Sequence, residues 1–383
     1  MNMERIKVIF ETVTPLFMDD ANRNPNLNRP SEILGSMRFW FDVACVYGGL
    51  YMSMNEVETK YKNSPKNNKS FDVFLKESLL NNVSNNNISY NSWSKTYLSK
   101  LHEYLSYNQL PKSAMLFGTT GIEANLRIIG IEQVNIQILK INVKIIKYNG
   151  KSNTQPGKID FPTYYGKFAV LFEVNEQLIE GLFYPLLNFL DEFGYIGGKW
   201  NWGFGRVKII DVMNENKKDI YKNFTTFKFS PEESFKISNI NEILWDVDTV
   251  SSSTILQQFE KLGLCIYQTN NCAKYNNEKT EIKLNYAAIN TNNQNNNSIL
   301  TSILKEMGKL INCKLYLRRK FRNHEGFTPD EEKELRHRIF GISGKEGSKL
   351  LPYIKDSNCT KTGFLSLISL FNAVEVGGEK NAR

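Results

Sequence analysis

GYIGGKWNWGFGRVKIIDV, residues 194–212, places Gly194, Gly197, Gly198, Gly203 and Gly205 within twelve residues and then runs into an apolar, β-branched segment. Upstream, Leu178, Leu182, Pro185, Leu186, Phe189 and Leu190 recur at helical spacing, and downstream Arg206–Val212 reads as a short strand. The segment is therefore a helix, a glycine loop and a strand in immediate succession. Glycine tolerates positive φ and lets backbone N–H groups approach a phosphate without Cβ interference. Lys199 and Arg206 supply positive charge, while Trp200 and Trp202, flanking Asn201, offer faces on which bases stack. The competing reading is a tight turn with both tryptophans in the core. No dinucleotide fingerprint is present, because Gly203-Phe-Gly205 leads into a strand, and no GxxxxGK[ST] loop occurs anywhere.

Working outward, the N-terminal segment RIKVIFETVTP (5–15) is a β-strand ended by Pro15. MDDANRNPNLNR (18–29) is a polar loop, and Pro30 starts a helix with Ser31 and Glu32 in its first turn. Ile33, Met37, Trp40, Phe41 and Ala44 form its apolar stripe, with Arg38 on the flank. Arg29 and Ser31 thus sit at a helix N-terminus, whose free N–H groups favour anions, Gly35 permits close approach of another chain, and Arg38 lies one turn further along. Residues 50–112 read as a helical insertion with Asn-rich solvent loops such as NNVSNNN (81–87). In its second helix Trp93, Tyr97, Leu98, Leu101, Tyr104 and Leu105 share one face. Leu126–Glu132, Val134–Lys147 and Lys167–Val174 follow as strands.

This order fits an α+β chain with two βαβ units around an antiparallel sheet, the ferredoxin-like (RRM-like) pattern. With 383 residues, two domains are expected, and the polar stretch Asn214–Asp219 divides them into 1–220 and 221–383. In the second, Asn223–Phe229 and Cys313–Arg318 read as strands. Ser251–Leu262, Pro329–Phe340 and Gly363–Val374 read as helices, and Thr291–Asn297 as a solvent loop. An internal echo, MLFGTTGIEA (115–124) and RIFGISGKEG (338–347), supports a duplicated architecture.

The chain carries 48 Lys+Arg against 40 Asp+Glu, a net charge of +8, which permits nucleic-acid binding without establishing it. The informative charges sit beside aromatics. LYLRRKFRNHEG (315–326) surrounds Phe321 with Arg318, Arg319, Lys320 and Arg322, and Arg336, His337 and Arg338 form a second basic group. Each could equally be a solvated face.

The five cysteines (Cys45, Cys265, Cys272, Cys313, Cys359) are scattered, with no CxxC, and read as buried free thiols. Neither a metal site nor a cofactor site is expected. Asp19 and Asp20 read as solvated turn residues, and no nucleophile, base and orienter can be assembled, so no catalytic residue is assigned. His337 is the one conceivable general base beside basic residues. No secretory signal or membrane span is read, and a cytoplasmic protein is expected.

The combination T-P-L (14–16), R-P-S-x-x-x-G-x-x-R-F-W (29–40), L-F-G with a following basic strand (116–127) and G-G-x-x-x-x-G-F-G (197–205) resembles the RAMP proteins of CRISPR systems. More narrowly it is similar to the subunit-one family of the type III-B Cmr effector complex. The resemblance implies two tandem ferredoxin-like domains and a non-catalytic subunit that binds RNA. Its implied partners are guide RNA (the 3′ part), target RNA and the other RAMP subunits of the complex, with no membrane contact. It carries the glycine loop over to Gly197–Gly205 and the basic helix start to Arg29 and Arg38. Two departures stand out: Phe17, Met18, Asp19 and Asp20 replace a small glycine-rich turn, and Trp200 and Trp202 stand where arginines are common. The alternative function is a metal-independent, guide-processing endoribonuclease of the same superfamily using His337.

Overall fold

The computed structural model describes residues 2–19, 24–48, 50–63, 65, 69–80, 90–149, 152–153, 157–214, 265–268, 280–288, 298–320, 328–341 and 347–371. Its first strand, β1 (Met3–Thr12), alternates buried Ile6, Val8 and Phe10 with less buried neighbours, so one sheet face is covered and the other is open. The chain then enters α1 (Pro30–Tyr47), whose Pro30 sits at the first helical positions, where a missing N–H costs nothing. After the insertion come β2 (Leu126–Asn149), the two-residue β3 (Ser152–Asn153) and β4 (Gly157–Asn175). A helical turn α6 (Glu176–Leu178), a π-helical turn (Ile179–Phe183) and α7 (Tyr184–Phe193) lead through the glycine loop to β5 (Val207–Asn214).

The main sheet has the order β3-β2-β4-β1-β5, and the pairings of β1, β2, β4 and β5 are antiparallel. The sequence β1-α1-β2-β4-α7-β5 is thus a strand–helix–strand, strand–helix–strand arrangement in which each helix crosses back over the sheet. Both helices pack on one sheet face. Ile33, Met37 and Trp40 of α1 and Leu187, Phe189 and Leu190 of α7 are fully or almost fully buried with Val8, Phe168 and Phe172.

A strand from beyond residue 220, β7 (Thr280–Ala288), pairs with the outer half of β2 from Leu139 to Lys147. There Leu139, Ile141, Val143, Ile282 and Leu284 form a second core with Leu300, Ile303, Leu304, Met307 and Leu310 of α8 (Ser298–Lys320). The remaining elements are α9 (Pro329–Phe340) and a three-stranded sheet, β6-β9-β8, from β6 (Cys265–Gln268), β8 (Leu350–Ile354) and β9 (Thr362–Ser366). One extended sheet therefore serves two cores. The β2–β4 register shifts at Ile128/Gly130 and Gln133/Asn135, and such bulges bend a strand without ending it.

The insertion at 50–112 is helical as expected, with α2 (Met54–Tyr61), α3 (Phe71–Leu80) and α4 (Tyr90–Asn108) among the described residues, and is followed by the short α5 (Ala114–Phe117). It has its own core of Phe71, Leu75, Tyr97, Leu101, Tyr104 and Leu105. The echo is matched in local geometry. Gly118 (φ +68°) and Gly341 (φ +75°) each end a helix, and each N–H donates to the carbonyl four residues back, Ala114 and His337. In both, the residue two before the glycine, Leu116 or Ile339, accepts from the chain entering the next strand, at Asn125 or Lys349.

Several sequence expectations change. Cys313–Arg318 is not a strand but part of α8, because Leu300, Ile303, Leu304, Met307, Leu310, Ile311 and Leu317 repeat at helical spacing and bury one face. The alternation in Lys314–Arg318 is too short to outweigh that. Leu126–Glu132 and Val134–Lys147 are one strand, joined through the bulges. Within Gly363–Val374, residues 363–366 belong to β9, paired with β8, and Ser369–Phe371 is a short 3-10 turn. The helix before the glycine loop is interrupted by the π turn ahead of Pro185, which lacks the N–H a continuous helix would use there. Asn223–Phe229, Ser251–Leu262 and Thr291–Asn297 lie outside the described residues. Cys45 and Cys313 are buried free thiols and Cys359 is half-buried and free.

Candidate nucleic-acid interface

The glycine loop is built by packing of backbone on backbone. Gly205 has φ +85°, and a Cβ there would lie 2.1 Å from the Ile196 carbonyl oxygen, so only glycine fits. The Gly205 N–H donates to Pro15 O (2.9 Å), Gly198 N–H to Phe17 O (2.8 Å), Gly203 N–H to Trp200 O (2.8 Å) and Gly197 N–H to Ser36 Oγ (3.1 Å). These four amides are spent on holding the loop to residues 15–17, to α1 and to itself. Their glycines shape the surface rather than form an open phosphate nest.

What the loop displays is its crest. Lys199, itself at φ +63°, and Asn201 are exposed, and the Lys199 ammonium lies 5.4 Å from the centroid of the Phe17 ring. The tryptophans divide between the cores. Trp200 sits 5.3 Å from Phe39, 5.8 Å from Trp40 and 6.3 Å from Tyr195, whereas Trp202 packs against the second core. Both are half-buried. The choice between stacking platform and core residue thus resolves into an intermediate: each ring is anchored on one side and partly open.

Arg206 requires a correction. Its side chain is 0 % exposed and cannot meet a phosphate from solvent. The guanidinium donates to the carbonyls of Leu190, Asp191, Glu192, Gly194 and Val207 and lies 5.4 Å from the Tyr353 ring centroid. It caps the C-terminus of α7, where unsatisfied carbonyls and the helix dipole both favour a cation.

At the start of α1, Ser31 and Gly35 are exposed and Arg29 is half-buried. Arg29 pairs with Glu32 and donates to Asp19 O, so its charge is partly answered within the protein. Burial raises the Glu32 carboxyl above its usual value, with Arg29 opposing and Asp19 adding to the rise. Arg38 turns toward the insertion. Its Nε donates to Tyr61 Oη (2.9 Å), Nη2 donates to Gly118 O (3.1 Å), and the guanidinium lies 4.6 Å from the Tyr61 ring centroid. Tyr61 in turn donates to Asp42, and Ser113 shares the same hydroxyl at 2.6 Å. Burial pushes the Asp42 carboxyl up to about 6, against the hydrogen bonds of Tyr61 and Ser113 and the nearby Arg38. Arg38 therefore ties the insertion to the main sheet unit.

The second basic segment meets the loop through a residue that sequence reading passed over. Lys314 of α8 donates from Nζ to Asn201 O at 3.0 Å. Read as a helix, residues 313–320 place Lys314 and Arg318 on one face, one turn apart, and that periodicity was the available signal. Arg318 and Arg319 are half-buried. Lys320 ends α8, and Arg322 lies outside the described residues. Arg336, mostly buried, pairs with Glu332 at 3.1 Å, and Arg338 pairs with Glu334. The half-buried His337 accepts the Gly341 N–H at its carbonyl in the helix-ending turn. Among the described residues no group of His, Cys, Asp or Glu could hold a metal ion, and no helix is long and apolar enough to cross a membrane.

The loop meets α8 through Lys314 and Asn201 and meets α1 through the Gly197–Ser36 hydrogen bond, so three distant stretches of chain adjoin here. A sequence model of the RAMP superfamily matches residues 9–208, from within β1 to the start of β5. The chain belongs to the RAMP superfamily. The matched span holds both crossover helices and the glycine loop, and it carries the first half of this RAMP protein's surface. Among solved structures, this RAMP protein is similar to Cmr1 from Pyrococcus furiosus, with 15% identity over 88% of this chain and 76% of that one and a TM-score of 0.30. It is also similar to a chain of the type III-B Cmr-beta complex bound to cognate target RNA (12% identity, 97% and 100% covered, TM-score 0.37). A third similarity is to Cmr6 from Pyrococcus furiosus (17% identity, 55% and 100% covered, TM-score 0.26). At such scores the shared chain path is partial, and family membership rests on the sequence match. No curated protein matches the chain.

Proposed function

We propose that this RAMP protein is a non-catalytic RNA-binding subunit of a type III-B CRISPR effector complex, in contact with guide RNA, target RNA or both. The observation that carries this reading is the contact of Lys314 on α8 with Asn201 on the loop crest, which sets Lys314, with Arg318 one turn further along α8, beside the crest that exposes Lys199. Cations interleaved with half-open aromatic rings suit a single strand, because phosphates are neutralised while bases stack sequence-independently. Superfamily membership and the R-P-S and G-G-x-x-x-x-G-F-G motifs support it. On this reading the chain comprises two tandem ferredoxin-like units. The strand and helix order of the first half and the repeated helix–glycine–strand corner at Gly118 and Gly341 support the duplication.

Filter binding of labelled guide-strand and target-strand RNA over a salt series tests the proposal. Lys199→Ala is expected to weaken binding of the contacted strand and to lower the log–log salt slope by about one. Unchanged affinity and slope for both strands would sink the assignment. Incubation with repeat RNA in EDTA is expected to leave it intact; discrete products lost in His337→Ala would instead establish the endoribonuclease.

A further inference from the structure

We propose that Lys314 and Arg318 form a phosphate-binding position for single-stranded RNA beside the glycine loop, joining the second half of the chain to the surface displayed by the first. This rests on the reading of that surface as an RNA track and adds a ligand position to it.

The partner of Lys314 is a neutral carbonyl, Asn201 O at 3.0 Å, and none of the ion pairs among the described residues includes it. Arg318 follows one turn later on the same helix, so two cations share a face at (i, i+4), where like charges repel. Asn201 and Lys199 are exposed on the loop crest above them. A phosphate lodged between Lys314 and Arg318 would relieve that repulsion and accept charge-assisted hydrogen bonds. The strand would then pass directly to Lys199, two residues from the carbonyl that Lys314 holds.

Burial, and then the field of Arg318, lower the Lys314 ammonium to about 7. The other charged or titratable groups on the loop and on the strands packed against α8 include Lys199, Glu281 and Lys283 on β7, and Tyr353 on β8. Of these and Arg318, only Arg318 moves it. Near neutrality part of the population carries a neutral amine, and a phosphate stabilises the ammonium. Binding at this position therefore takes up a proton and strengthens as pH falls.

Fluorescence anisotropy with the full-length chain and a fluorescein-labelled, mixed-sequence single-stranded RNA, at constant ionic strength, tests this. From ~pH 8 to ~pH 6 the wild type is expected to gain about tenfold in affinity as one group near 7 becomes protonated. Lys314→Arg keeps the charge at every pH, so it is expected to retain binding and flatten the profile. Lys314→Met is expected to lose both the pH dependence and about one unit of salt slope. Melting curves of both variants check that the fold is intact. If Lys314→Arg keeps the wild-type pH profile, or if Lys314→Met binds as the wild type does, the position is overturned while an effect of Lys199→Ala leaves the track standing. If the wild type binds no RNA at any pH, the track and this position fall together.

Discussion

Trp200 and Trp202, separated by one residue in the glycine loop, pack into different hydrophobic cores. Trp200 belongs with Phe39, Trp40 and Tyr195 under α1, and Trp202 with the second core on the far side of the same turn. The loop is therefore a joint between the two cores, reinforced where Thr14 Oγ1 donates to Gly203 O (2.7 Å) and Tyr195 Oη to Pro352 O (2.7 Å).

Neighbouring residues usually couple energetically, yet these two share no core. Trp200→Ala and Trp202→Ala are each expected to destabilise by roughly 2–4 kcal/mol through lost packing and a cavity. The double variant is expected to be additive to within about 0.5 kcal/mol, as for independent sites. Urea denaturation of the four proteins measures this. A coupling above ~1 kcal/mol would show a common packing unit.

Arg206 holds the end of α7 through five carbonyls. Arg206→Met is expected to cost about 3 kcal/mol or more, because the carbonyls at the end of α7 lose their cation and, among the described residues, only those of Leu190, bonded by the Gly194 N–H, and Glu192, bonded by the Tyr353 hydroxyl, keep a donor outside the arginine. Arg206→Lys should recover little, since one ammonium cannot replace a planar fork. RNA affinity measured on folded Arg206→Lys protein should stay near wild type, separating this arginine from the exposed cations.

Asp42 links stability to pH. Its carboxyl rises from 3.8 to about 6 on folding, so between those values the native state holds a proton that the unfolded chain has released. Stability from this group is fully present below 3.8 and is lost as pH rises through about 6. Asp42→Asn, which still accepts from Tyr61 without a charge, is expected to flatten that decline. Its melting temperature relative to wild type should be more favourable at ~pH 8 than at ~pH 4. A constant difference would refute the linkage.

Two glycines should respond oppositely. Gly205→Ala would drive a Cβ to 2.1 Å from Ile196 O at positive φ and is expected to cost ~2 kcal/mol or more. At Gly35, in the interior of α1, a Cβ meets nothing within 4 Å. Gly35→Ala is expected to stabilise by about 0.5–1 kcal/mol, the helix-propensity difference. Thermal melts of both variants decide it, and Gly35→Ala also reports by RNA binding whether a strand passes close to that helix face.

Short-range physics was legible in the chain. Alternation identified β1, the apolar stripe and Pro30 identified α1, and glycine density located the loop, because each depends on a few adjacent residues. The strand expected at Cys313–Arg318 is part of α8 for the same reason: a short apolar alternation is outweighed by the helical repeat that runs over the whole of 298–320. Which cations reach solvent could not be read. Lys199 and Arg206 flank one loop, and nothing local says that one crowns it while the other is sealed against α7.

By itself, then, the sequence determined β1, α1, the place of the glycine loop, the helical nature of the insertion and the superfamily, since these follow from local periodicity and from motif spacing. Tertiary structure alone decided that β7 joins the first half's sheet, that the tryptophans part between two cores, and that Lys314 reaches Asn201. Those outcomes depend on burial and on contacts between residues more than a hundred positions apart. The glycine loop, crowded by the carbonyls of Ile196 and Phe17, sits where these long-range contacts meet.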